Sequence, residues 1–298
     1  MRVRCGRTGV RHLGAVGAGL VLLLSLAACG GDDDTASSTS QPTTSTSTVT
    51  NAPTSSSSVP VGVTSFPVYL IRDEKLMAAG RSLSAPVTPT SAMRALLAGP
   101  QGSLERDLGM TTSIPAGTEL HGVHVAGDVA TVDLSKAFES GGGSQSMQAR
   151  AAQVVFTVTQ FSGVARVRFA IDGTPVKTIG GEGLIVDRVG RTDFENVTPA
   201  ILVESPTPGA TVHSPLRVRG TSNTFEAVVN YTIADPDGIV IAEASTMATA
   251  GTGTWGTFTF TVPYRVARAG MGSVIVYQRS PKDGSRTDIM EVPVVMEP

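Results

Sequence analysis

Few residues in this chain have the types and spacing for chemistry. It contains two cysteines, Cys5 and Cys29, and four histidines. His121 and His124 form the only close histidine pair. On a strand, residues three apart face opposite sides, so the two share a metal only if a bulge re-aims one of them. Ordinary half-exposed histidines are the expectation, and no metal site is assigned. Gly143-Ser144-Gln145-Ser146-Met147 approaches the Gly-x-Ser-x-Gly pattern of a nucleophile elbow but lacks its last glycine. Ser144 instead stands where a helix cap is expected. The glycines before it precede a helix N-terminus, which can hold an anion, yet no P-loop or dinucleotide fingerprint accompanies them. Asp235-Pro236-Asp237-Gly238 has a fragment of calcium-loop spacing, but the twelfth position is Thr246 rather than glutamate, and a hairpin turn explains it. Glu119, Asp128, Asp133 and Glu139 lie near one another in the chain, and nothing singles out an acid/base pair among them. Trp255, the only tryptophan, sits in Gly251-Thr252-Gly253-Thr254-Trp255-Gly256-Thr257-Phe258. It is a candidate binding residue, able to stack on a sugar or anchor a partner, or else a core or sheet-edge aromatic. No catalytic residue and no cofactor are assigned.

The remaining chemistry belongs to Cys29 and depends on what precedes it. Arg2, Arg4, Arg7 and Arg11 open the chain without an acidic residue. The apolar run Leu13 to Leu26 follows, then small residues ending in Leu26-Ala27-Ala28-Cys29. These are the three parts of a signal peptide over residues 1–28. The run of about 14 residues is short of the roughly 20 a helix needs to cross a bilayer. Where a generic signal peptide ends on an Ala-x-Ala-like site, this one ends on cysteine, which resembles the lipobox of bacterial lipoproteins. The resemblance implies acylation of the Cys29 thiol and cleavage between Ala28 and Cys29. Covalent lipid contributes about 0.8 kcal/mol per buried methylene, so two or three acyl chains suffice for stable attachment.

Cleavage would also remove Cys5, leaving no intramolecular disulfide. Of the 23 Lys and Arg, four leave with the leader; against 25 Asp and Glu the mature charge is 19 − 25 = −6 with His neutral. A mildly acidic chain argues against nucleic acid and against a polybasic membrane patch.

Residues 29–65 are nearly all Ser, Thr, Pro and Ala after Asp32-Asp33-Asp34. With no aromatic residue and little to bury, they are expected to form a disordered tether, with an r.m.s. span of roughly 30 to 36 Å. A glycosylated stalk is the alternative. The remainder suits two domains, 66–196 and 197–298, divided near Val197-Thr198-Pro199. In the first, Phe66 to Arg72 and Lys75 to Ser84 read as paired strands. Thr88-Pro89 opens a short helix closed by Gly99-Pro100, and Leu120 to Val125 pairs with Val129 to Leu134 around Gly127-Asp128. A longer helix carries Met147, Ala151, Val154, Val155, Val158 and Phe161 at helical spacing, with Ser144 as its cap and Gly163 ending it. Val164 to Ile171 returns as a strand. One sheet covered on its apolar face by amphipathic helices gives an α+β sandwich.

The second piece has seven short strand-like runs in a hundred residues: Ile201-Val203, Leu216-Arg219, Ala227-Ala234, Ile239-Ala242, Gly256-Val262, Ser273-Tyr277 and Ile289-Val295. Turn signals and no helical period separate them, which predicts an all-β sandwich. Exposed strand edges in both domains are a further candidate surface for β-augmentation. The Thr192 to Thr198 connection is short enough for the domains to touch.

Val68-Tyr69-Leu70, Leu96-Leu97-Ala98-Gly99-Pro100, Thr111 to Gly117, Val129 to Leu134 and the Gln153 to Phe161 helix resemble a GerMN domain, a module of spore germination and sporulation proteins. Val203 to Val212, Leu216 to Thr221 and Gly253-Thr254-Trp255-Gly256 resemble the immunoglobulin-like domain attached to such germination proteins. The resemblance implies two extracytoplasmic modules with binding or assembly roles and no established catalysis. The expected protein is an envelope adaptor on the outer face of a cytoplasmic membrane. Its expected partners are membrane lipid through acylated Cys29 and envelope proteins or cell-wall polymer. Two alternatives differ in kind. A solute-binding lipoprotein needs a deep cleft between two similar α/β lobes, and a wall hydrolase needs an acid/base pair.

Overall fold

A computed structural model describes residues 62–298. Ala28, Cys29 and nearly all of the tether lie outside the described residues, as do the cleavage and lipidation expected there. The first domain runs β1 (Val63–Arg72), β2 (Lys75–Ser84), α1 (Pro89–Leu97), α2 (Gly102–Asp107), β3 (Leu120–Ala126), β4 (Val129–Leu134), α3 (Ser144–Val158), β5 (Arg166–Ile171), β6 (Thr174–Val176) and a small ribbon of β7 (Thr178–Ile179) and β8 (Leu184–Ile185). Arg191–Val197 forms a 3₁₀ connection to the second domain.

β1 and β2 pair antiparallel from Arg72–Lys75 outward, as the two runs flanking Asp73-Glu74 predict, but β1 begins at Val63 rather than Phe66, so the last three residues expected to be tether, 63–65, are strand paired with β2. Asp73 and Glu74 make this turn with φ of 49° and 62°. α1 starts on a capping box: Thr88 Oγ1 accepts from Ser91 N at 3.2 Å, and Ser91 Oγ accepts from Thr88 N at 2.8 Å, with Pro89 at the first helical position.

Three expectations for this domain change. Its strands form separate sheets, the β1–β2 hairpin and a four-stranded sheet in the order β3-β4-β5-β6. β4 and β5 pair in parallel across the α3 crossover, because parallel neighbours require a long connection and a helix supplies it. α3, which contacts both β1 and β5, is not amphipathic in the expected sense; every residue from Ala149 to Val158 is buried, as befits a helix enclosed on all sides. Finally, Gly143 rather than Ser144 occupies the cap, with no side-chain hydrogen bond there. Arg150 sets this entry: its guanidinium donates to the carbonyls of Phe138 at 2.5 Å, Ser140 at 3.2 Å and Gly141 at 3.1 Å. The helix ends at Val158, and Gly163 (φ 84°) closes the turn leading to β5.

A buried ion pair secures α2 to the hairpin. Arg81 Nη1 lies 2.5 Å from Glu105 Oε1 and Nη2 lies 3.1 Å from Oε2. Arg81 also donates to Gly80 O and Gly99 O, at 2.7 and 2.8 Å.

The second domain comprises β9 (Ile201–Ser205), β10 (Thr211–Val212), β11 (Leu216–Ser222), β12 (Val228–Ala234), β13 (Val240–Met247), β14 (Gly256–Val262), β15 (Gly270–Arg279) and β16 (Arg286–Met296). Seven correspond to the predicted runs; β10 adds two residues. A five-stranded sheet, β10-β16-β15-β12-β13, faces a three-stranded sheet, β14-β11-β9, so the all-β sandwich expectation holds. Their inner faces contribute Val218, Val229, Ile233, Phe258, Phe260, Val274, Val276, Val292 and Val294 to one core. The two cores meet at β9, where Leu202 joins the first domain's core while Ile201 and Val203 join the second's.

Candidate functional site

The residues singled out by sequence chemistry do not converge. The β3–β4 register shifts between Leu120 and Gly122, so a bulge does fall at His121. It directs that ring to Asp133 (Nδ1–Oδ1 3.7 Å) and Asp172 (Nε2–Oδ1 3.9 Å), while His124 stands opposite Thr131. Among the described residues no three of His, Cys, Asp and Glu are grouped so as to hold a metal ion. Asp133 additionally accepts from Gly173 N at 3.0 Å, and Glu139 pairs with Lys136 at 2.5 Å. The Asp235 carboxylate accepts from Asp237 N at 2.9 Å and Ile239 N at 2.8 Å. That is the hydrogen bonding of a side-chain-stabilised hairpin turn.

The site with built geometry is the seam between the domains. Glu204 on β9 accepts from the Tyr69 hydroxyl on β1 and from Arg191 Nη1, the latter at 2.7 Å. Arg191, from the 3₁₀ connection, also donates to Thr159 Oγ1 at 3.0 Å and to Phe156 O at 3.3 Å. Its guanidinium carbon lies 4.7 Å from the centre of the Phe156 ring and 5.5 Å from that of Tyr69, within cation–π reach. Burial pushes the Tyr69 phenol far above its ordinary range, and the facing Glu204 carboxylate adds to this. Burial acts to lower the Arg191 guanidinium, but Tyr69 and Glu204 outweigh it and hold the group above its usual value. A neutral phenol, a carboxylate and a fixed guanidinium therefore tie β1, the connection and β9 together. Close approach continues along the seam: a Cβ at Gly80 would collide with the Thr207 side chain, so any larger residue at that position on β2 must displace Thr207. The domains touch, as the short connection implies.

Trp255 stands at one end of this seam, half-buried. It lines a crevice of about 110 Å³ with Phe156, Arg191, Glu195, Thr198 and Thr221. Its placement is between the two readings of the sequence: it is neither in the sandwich core nor free on the surface. At the other end a groove of about 600 Å³ is lined by Ser65, Ser82, Thr207, Arg217 and Arg219, among others. Sequence reading missed the two arginines. The signal that could have found them is the alternation Leu216-Arg217-Val218-Arg219-Gly220-Thr221, which puts Arg217, Arg219 and Thr221 on one face. The predicted free edge is also present: β13 pairs only with β12, and Ile239, Val240 and Met247 are exposed along it.

Residues 41–177 match the family described as sporulation and spore germination, and residues 200–285 match the immunoglobulin-like domain of bacterial spore germination. The first GerMN domain of the sporulation protein GerM from Bacillus subtilis is 25% identical over 43% of this chain and 98% of that one, with a TM-score of 0.35. The tandem GerMN domains of the same protein are 20% identical over 69% of this chain and 63% of that one, with a TM-score of 0.37. No curated protein matches by sequence. This chain carries a domain of the sporulation and spore germination family followed by an immunoglobulin-like domain of bacterial spore germination.

Proposed function

We propose that this protein is a non-catalytic binding and assembly adaptor of the cell envelope. Lipid on Cys29 holds it to the outer face of the cytoplasmic membrane. The tether gives the domains reach, and the two domains engage envelope proteins or cell-wall polymer. The observation that carries this reading is the order of parts: a lipobox-like Leu26-Ala27-Ala28-Cys29, a Ser/Thr/Pro-rich stretch, then two germination-type modules. The joined architecture supports it, because the seam built on Tyr69, Arg191 and Glu204 makes one presenting surface of two modules. The two domains differ in fold, unlike the paired similar lobes of a solute-binding cleft. Among the described residues no helix is long and apolar enough to cross a membrane, so attachment in this reading rests on Cys29.

Cross-linking in intact cells, capture of the full chain from detergent-solubilised membranes, and co-sedimentation with purified wall test the reading. It predicts a reproducible envelope protein cross-link, wall binding, or both. The absence of both a specific cross-link and wall binding would contradict it.

A further inference from the structure

The outer face of the three-stranded sheet carries an arrangement that the adaptor reading does not by itself use. Along β14 and the residue before it, Trp255, Thr257, Thr259 and Thr261 alternate with Gly256, Phe258, Phe260 and Val262. The second set is buried inside, and the three threonines are exposed. On β11, Arg217, Arg219 and Thr221 alternate with Leu216, Val218 and Gly220 in the same way. The register sets Thr261 beside Arg217, Thr259 beside Arg219 and Thr257 beside Thr221. Two parallel rows result, one of hydroxyls ending in an indole and one carrying two guanidiniums. The arginine Cα atoms are about 7 Å apart, from a strand rise of about 3.4 Å per residue. Both arginines are exposed, and neither makes an ion pair or a side-chain hydrogen bond among the described residues.

β9 flanks these rows on the side where the first domain packs, since Leu202 enters that domain's core. The rows therefore run along the seam, between the Trp255 crevice and the groove beside Arg217 and Arg219.

We infer that this face binds an anionic cell-wall glycan. The guanidiniums would take carboxylate or phosphate groups as forked donors, the threonines would exchange hydrogen bonds with sugar hydroxyls, and Trp255 would stack on a ring. Charge complementarity at the face itself supports it, because two unpaired cations stand side by side there although the mature chain carries a net charge of 19 − 25 = −6. The face lacks the exposed aliphatic patch that would form the buried core of a protein interface. The large exposed apolar residues, among them Phe225, Ile239, Val240, Met247, Met271 and Ile289, all lie off β11 and β14. The inference rests on the adaptor reading and names one ligand of it.

The test is co-sedimentation of the detergent-purified full chain with insoluble wall, intact or stripped of its phosphodiester polymer, at low and high salt. The native chain should bind, more weakly at high salt. The double variant Arg217→Glu/Arg219→Glu should weaken binding about tenfold or more, and Trp255→Ala by about fivefold, while Arg265→Glu binds as the native chain does. Circular dichroism and thermal unfolding of each variant should match the native protein, and Arg217→Gln/Arg219→Gln provides a milder pair. Loss of native binding on stripping assigns the anion to phosphate; retention assigns it to the carboxylates of the glycan and its peptides. Native binding unchanged in both arginine pairs overturns the face and leaves the adaptor intact. No wall binding, with a protein cross-link still formed, overturns the glycan and again leaves the adaptor. No binding of any kind removes the adaptor reading itself.

Discussion

Glu105→Ala is expected to destabilise the first domain by about 3–5 kcal/mol, the range for removing one partner of a buried ion pair. The Arg81 and Glu105 side chains are only 5% and 11% exposed, and they meet through two contacts. Glu105 also accepts from Gln101 N at 2.6 Å, so it anchors the start of α2 as well as the guanidinium. Without it, Arg81 keeps its bonds to Gly80 O and Gly99 O but holds an uncompensated charge out of water. Arg81→Met/Glu105→Met, which removes both charges, should cost much less than Glu105→Ala, because the desolvation of the two ions is relieved as well. Urea unfolding of the three proteins measures this. A loss below about 1 kcal/mol for Glu105→Ala, typical of exposed pairs, would show that the pair is solvated and not a structural lock.

The second large effect belongs to the seam. Glu204→Ala should cost about 2 kcal/mol, less than a fully buried pair because Arg191 and Glu204 remain 27% and 18% exposed and solvent screens part of the interaction. Its signature is local. Amide exchange should accelerate along β1 near Tyr69 and along β9, the two strands that Glu204 joins, while the inner strands of the sandwich keep their protection. The seam also has an alkaline limit. The Tyr69 phenol is held neutral by burial and by facing Glu204, so its folded value is raised above its unfolded one. The stabilisation is fully present below the ordinary tyrosine value of about 10 and is lost as pH rises above it toward the folded value. Tyr69→Phe should therefore flatten the fall in melting temperature above about pH 10 relative to the native chain. Equal alkaline slopes in the two proteins would remove Tyr69 from this role.

What sequence could reveal was local. The β1–β2 hairpin, the helix start at Thr88-Pro89 and the strand run of β14 depend on neighbours within a few residues, so turn chemistry and spacing expose them. The separation of the first domain into two sheets was hidden, because the parallel pairing of β4 with β5 is made across α3 and leaves no short-range mark. α2 spans six residues, too few for a helical period to emerge. The burial of α3 on every side was masked by Arg150 and Gln153, polar residues that find partners in the interior: Gln153 Nε2 donates to Tyr69 O at 2.9 Å. The seam was the least legible part. Tyr69, Arg191 and Glu204 are separated by up to 135 residues, and the chain identifies each as an ordinary strand or loop residue until the fold joins them. Trp255 could be named from composition, but its position beside Arg191 and Thr221 needed the domain contact.

The central claim, attachment through Cys29, is tested most directly by intact mass and membrane fractionation of the native protein beside Cys29→Ala. The account predicts a native chain that begins at Cys29, carries acyl mass and sediments with membranes, and a variant that is uncleaved or unacylated. A native chain that is soluble and carries no acyl group would contradict it and would leave two freely secreted binding domains in place of an anchored adaptor.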